Sequence, residues 1–132
     1  MANECILTTQ FSPPVAFTCA DGTGIEKGTL LQLTNPRTVS ASSADNQTSI
    51  GVAAVEKIAS DGKTKVSVYI DGIFLMTDSG AGFTAGDLLK IAGANLVATA
   101  DDAGAQGPNE YVGKALETAG AGETGRVLVG RL

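Results

Sequence analysis

The chain has 132 residues and a formal net charge of −5, with 43% hydrophobic and 17% charged residues. That is enough apolar material for a folded core and too little charge for a disordered chain. The nine Lys and Arg residues are scattered, which excludes the clustered basic face that nucleic-acid binding needs, and no apolar run is long enough for a membrane-spanning helix.

Residues 1–20 read as an extended N-terminal arm, which either reaches over a neighbour or supplies two more strands to its own domain. Met1-Ala2-Asn3-Glu4 lacks the basic and apolar segments of a secretion signal, so a chain made in the cytoplasm with reduced Cys5 and Cys19 is expected. Two β-prone runs, 4–9 and 15–20, are split by Ser12-Pro13-Pro14, because proline cannot donate to a sheet ladder. Asp21-Gly22-Thr23-Gly24 is a turn. Strands follow over 30–33, closed by Asn35-Pro36, and over 38–41. After a polar loop, 42–49, comes the apolar run 50–55 and the hairpin signal Ser60-Asp61-Gly62-Lys63.

Residues 64–70 form the clearest strand, since Val66, Val68 and Ile70 alternate with Lys65, Ser67 and Tyr69. Asp71-Gly72 turns the chain into Ile73-Phe74-Leu75-Met76, apolar on both faces. Such a run is either a central strand or one whose second face meets a partner subunit. Gly or Pro interrupts every window long enough for a stable helix, and 111–119 also reads as strand.

Residues 28–42, GTLLQLTNPRTVSAS, align without gaps on 86–100, GDLLKIAGANLVATA. Beyond them, Ile50-Gly51 matches Val112-Gly113, and Val66 and Val68 match Val127 and Val129. The expectation is an all-β domain over 21–132 made of two similar units, about 25–76 and 83–132, packed on a shared core.

The residues that carry chemistry are missing or poorly placed. With no histidine there is no Ser-His or Cys-His pair, and two cysteines cannot fill a zinc site. Gly120 to Arg126 has the outline of a phosphate loop, but Arg126 and Val127 replace its Lys and hydroxyl, and strand rather than helix follows. Asp101-Asp102 lacks the comb of oxygen ligands that calcium requires. Asp61, Asp71 and Asp78 sit beside turn residues, where the side chain bonds nearby backbone. No catalytic residue, cofactor or metal is expected.

Ile25-Glu26-Lys27-Gly28-Thr29-Leu30-Leu31 with Pro36-Arg37-Thr38-Val39 resembles a family of tailed-phage capsid decoration, or cement, proteins. So do Gly51-Val52-Ala53 with Glu56-Lys57, Val68-Tyr69-Ile70-Asp71-Gly72-Ile73-Phe74, Gly86-Asp87-Leu88-Leu89 and Val112-Gly113-Lys114-Ala115-Leu116-Glu117. The resemblance runs from about Asp21 to Arg131. It implies a β-barrel or β-tulip domain on the outer surface of the virion, bound to the major capsid protein, often as a homotrimer, and bracing the shell. It carries no catalytic residues, and neither nucleic acid nor membrane is an implied partner. A head-fibre base or tail component, or a small β-fold enzyme or ligand-binding protein, are the alternatives. The candidate interface residues are Ile6, Leu7, Val15 and Phe17, the apolar members of the arm, with Phe74.

Overall fold

The computed structural model describes residues 2–100 and 110–130; the Asp101-Asp102 pair lies outside them. The described residues contain eleven strands and no α-helix. A first strand, β1 (Ile6–Thr9), precedes two runs of five. The first run is β2 (Val15–Thr18), β3 (Leu30–Asn35), β4 (Thr38–Ala41), β5 (Ser49–Ala53) and β6 (Lys65–Tyr69). The second is β7 (Gly72–Asp78), β8 (Leu88–Gly93), β9 (Leu96–Thr99), β10 (Tyr111–Ala115) and β11 (Thr124–Val129).

Each run closes into a five-stranded barrel. Barrel 1 has the order β2-β4-β3-β5-β6, with β6 returning to β2. Barrel 2 has the order β7-β11-β10-β8-β9, closed by a parallel pairing of β9 with the end of β7. Barrel 1 closes in the same way, β4 meeting β2 in parallel at Thr18 and Thr38. Closure removes sheet edges, which suits a chain with few large side chains to cover them.

The two barrels repeat strand for strand. Leu31 pairs with Ala41 and Gly51, and Leu89 pairs with Thr99 and Gly113. Both hairpins carry a bulge at the same place, between Leu33 and Asn35 and between Ile91 and Gly93. Arg37 and Asn95, at equivalent turn positions, share a left-handed conformation with φ of 54° and 58°. The correspondence extends back to β2 and β7, ahead of the 25–76 and 83–132 spans. The last strands match with a different offset from the sequence alignment: Val68 faces Ala53 as Val127 faces Ala115. A two-residue slip keeps the same side chains inward, so periodicity alone does not detect it.

Two glycines of the repeat are fixed by close approach. A methyl group on Gly51 would overlap the carbonyl oxygen of Tyr69, and one on Gly113 would overlap that of Leu128. These are equivalent contacts, between β5 and β6 and between β10 and β11.

Each barrel has its own core. Cys19, Ile25, Leu31, Val39, Ala53, Val66 and Val68 fill barrel 1. Barrel 2 is filled by Phe74, Met76, Leu89, Ile91, Val97, Val112, Val127 and Val129. What the units share is a seam. Leu30 and Val52 lie on barrel 1 strands beside residues of the first core, but they are buried in the second cluster. A polar stitch runs along it, with the Leu30 N–H donating to Asn95 Oδ1 and the Asn95 N–H to Ser42 Oγ. The loop after β4 crosses to barrel 2, where Asp45 bridges Ala92 and pairs with Lys90 at 3.0 Å.

Candidate docking surface

The N-terminal residues divide between the barrels. β1 lies antiparallel on β7, Ile6 opposite Leu75 and Leu7 opposite Phe74. β2 is a stave of barrel 1, Val15 opposite Val68 and Phe17 opposite Val66. The proline break at 13–14 is where the chain leaves one barrel for the other. Ser12 helps hold the crossing, its hydroxyl donating to Asp71 Oδ1 at 2.7 Å.

The five candidate interface residues therefore have different environments. Phe74 is 1% exposed, and its ring packs against Tyr69 at a centroid distance of 5.9 Å. It serves the core of barrel 2. The apolar run around it is a central strand, flanked by β11 on one side and by β1 and β9 on the other. Leu7 and Phe17 are half-buried, packed against the second and first clusters. Ile6 and Val15 are open to solvent, at 50% and 38% exposure. Sequence reasoning missed other exposed apolar side chains, Phe11, Val55, Ile58, Ile70 and Leu116. Ile70 continues the alternation of Val66 and Val68 but follows the end of β6, and the other four also lie outside the strands, where periodicity gives no guide.

A charged group sits at the same end of each barrel: Asp78 has the turn-stabilising role that its place beside turn residues implies, whereas sequence reasoning assigned none to Lys57. In barrel 1, Lys57 is buried and its Nζ donates to Asp21 O and Oδ1, Ile58 O and Asp61 Oδ1, at 2.7–3.0 Å. Burial alone would lower its pKa, but hydrogen bonds to Asp61 and Asp21 outweigh it and hold the ammonium above its usual range. In barrel 2, Asp78 Oδ2 accepts the N–H groups of Gly80, Gly82 and Gly122 at 2.7–3.0 Å. Burial pushes this carboxyl up, and the N–H donors, led by Gly122, overcome that and bring it below the usual carboxylate range. Both charges clamp turns, Lys57 through Nζ and Asp78 through Oδ2, while the buried Asp78 Oδ1 has no hydrogen-bond partner among the described residues.

The remaining reactive groups are equally committed. Cys5 and Cys19 are free thiols buried in different clusters. Burial, with Glu4 nearby, pushes Cys5 up to about 12, and burial raises Cys19 too, so both are neutral and poor nucleophiles near pH 7. Residues 120–126 run from the turn after β10 into β11, in an antiparallel hairpin, with Arg126 paired to Glu117 at 2.9 Å. Among the described residues no group of three or more acidic or Cys side chains could hold a metal ion. A cavity of about 460 Å³ opens beside the seam. Its polar lining includes Thr29, Ser42, Lys57 and Asn95, each already hydrogen-bonded within the chain. What this architecture offers is surface.

The comparisons agree with that reading. Residues 10–131 match the phage cement protein family. The crystal structure of the head fiber gp8.5 N base of bacteriophage phi29 has a similar fold, with a TM-score of 0.56 at 21% identity over 87% of this chain and 92% of that one. No curated protein matches the chain. Both barrels, from Val15 to Val129, fall inside the matched span, so the chain belongs to the phage cement protein family.

Proposed function

We propose that this protein binds the outer surface of an icosahedral phage capsid, attaches to the major capsid protein as a homotrimer, and stabilises the shell against internal pressure. The observation that carries this is the family match over both barrels. The committed state of the buried charges and thiols supports a structural rather than an enzymatic role. Symmetric association suits the task, because three linked footprints raise effective concentration without new kinds of contact. Ile6 and Val15 are the exposed apolar members of the docking surface. The acidic remainder faces solvent and has no affinity for DNA.

The test is to mix the purified protein with capsids of the parent phage assembled without it. Cosedimentation at saturating stoichiometry, with density on the outer face by electron cryomicroscopy and a raised temperature of DNA release, is the expected result. Capsids that bind nothing, or whose stability does not change, overturn it. A second reading, a head-fibre base, is favoured by the likeness of fold to the phi29 head fiber base. It predicts sparse density carrying a longer fibre in place of uniform decoration.

A further inference from the structure

We infer that copies of this protein join by sheet addition, the outer edge of β1 in one copy pairing with an open stretch of β2, centred on Ala16, in the next. The inference rests on the homotrimer reading above and names the contact that would build it.

The observation is a difference between two barrels that otherwise repeat. In barrel 2 the first stave, β7, is covered on one flank by two strands in succession. β9 pairs with Thr77 and Asp78, and β1 pairs with Ile73, Phe74 and Leu75. In barrel 1 the first stave, β2, has β6 on one flank, and on the other β4 reaches it only at Thr18. The residues equivalent to 73–75 are 14–16, and no strand among the described residues pairs with them there.

The hydrogen-bonding phase shows which groups are left over. The Cys19 N–H donates to Thr64 O, on the β6 side, and the Thr18 N–H donates to Arg37 O, on the other. Backbone groups alternate along a strand, so Ala16, in phase with Thr18, turns its N–H and C=O to the open flank. Its equivalent in barrel 2 is Leu75, which stands opposite Ile6 of β1. Burial follows the same contrast: Val15 and Ala16 are exposed, whereas Phe74, equivalent to Val15, is buried. Barrel 1 thus has the seat that β1 fills in barrel 2, and no strand of the described residues occupies it.

The occupant is a second copy. Among the described strands β1 is the one with a strand partner on a single side, so it brings a whole unpaired edge. Its sequence, Ile6-Leu7-Thr8-Thr9, and that of the seat, Val15-Ala16-Phe17-Thr18, carry no charge, so the contact avoids repulsion between two acidic chains. Proteins usually protect such edges with charge or proline; here Pro13-Pro14 limits the seat to a few residues without closing it. Because the two edges differ, the contact is head-to-tail, and a closing rotation turns it into a ring.

Ala16→Pro tests this, since it removes an N–H that bonds no strand of its own chain. Expected is a variant with wild-type far-ultraviolet dichroism that sediments as a single chain where the wild type is assembled. Amide hydrogen exchange on the wild type is the second measurement, independent of whether the variant folds. The Ala16 amide is expected to exchange at least about tenfold more slowly in the assembly than in the diluted monomer. A folded variant that assembles like the wild type, equal exchange at Ala16 in both states, or a wild type that stays a single chain at every concentration overturns the inference. Capsid cosedimentation of the wild type is scored separately, so a failed edge contact leaves the cement reading standing, and failed capsid binding leaves the edge contact standing.

Discussion

Gly113→Ala is a sharp test of the close approach on which barrel closure depends. The added methyl would overlap Leu128 O and stand 2.8 Å from its carbonyl carbon and 3.0 Å from Val129 Cα. Carbon atoms pack at about 3.5–4.0 Å, so β10 and β11 must part by roughly 1 Å. Backbone cannot swing aside as a flexible side chain would, and overpacking of this kind costs about 1–3 kcal/mol. The pairs beside it, Lys114 with Leu128 and Ala115 with Val127, are stretched too, at about 1 kcal/mol for each bond lost. The expected loss is about 3–5 kcal/mol, or roughly 12–20 °C in melting temperature for a chain of this size. Gly51→Ala meets the equivalent obstacle at Tyr69 and should lose a similar amount. Gly22→Ala is the control: nothing lies within 4 Å and its φ is not left-handed, so it should be neutral or stabilising by up to about 1 kcal/mol. Calorimetry of the three variants decides. If Gly113→Ala melts within about 2 °C of wild type, the strands are not in van der Waals contact there and the reasoning fails.

Other expectations concern the buried charge, the thiols and the exposed arm. Asp78→Asn should cost about 1–3 kcal/mol near pH 7, because three N–H groups lose a charged acceptor. The folded pKa of Asp78 is depressed, so its contribution is present above the unfolded carboxylate value of about 4 and disappears as pH falls through the folded value. Denaturant titrations should therefore show the gap between variant and wild type narrowing as pH falls below the unfolded carboxylate value, and a gap that does not change with pH would rule the carboxylate out as its source. A thiol reagent at pH 8 should label neither Cys5 nor Cys19 in the folded chain and both after denaturation, since both are buried and their pKa values raised; rapid labelling of the native protein would contradict the packing. Ile6→Ser and Val15→Ser should stay within about 0.5 kcal/mol of wild-type stability and weaken capsid binding, whereas Phe74→Ala should cost about 3–5 kcal/mol as a core cavity.

Local patterns carried most of the fold. Alternation marked β6, and the match of 28–42 with 86–100 gave two hairpins whose pairings and bulges coincide. The sequence did not distinguish the two roles open to residues 73–76, because a strand covered on both flanks and a strand facing a partner have the same composition. Phe74 is buried in the core of barrel 2. Lys57 was invisible for a different reason. Its acceptors come from Asp21, far back in the chain, and from Asp61, one turn ahead; only closure of barrel 1 brings them to one point. A lone Lys in a polar loop looks solvated until the strands on either side are placed.

Closure also explains where function is left to reside. A barrel pairs its staves with one another, so a protein made of two barrels has little backbone to offer a neighbour. Here ten strands are consumed in two rings, and β1 is the residue of that construction. It covers β7 and completes barrel 2, yet it keeps an open outer flank and holds Ile6 out to solvent. The equivalent flank of β2 is bare. The same N-terminal stretch thus supplies both the strand and the seat, although its two halves belong to different barrels. Substitutions at Ile6 and Ala16 should then separate two losses that removal of the whole segment would merge. On the proposed reading, Ile6→Ser would act on apolar contact with the shell, and Ala16→Pro on the joining of copies. If both variants lose assembly and capsid binding to the same extent, the stretch works as a single patch and the division of labour is wrong.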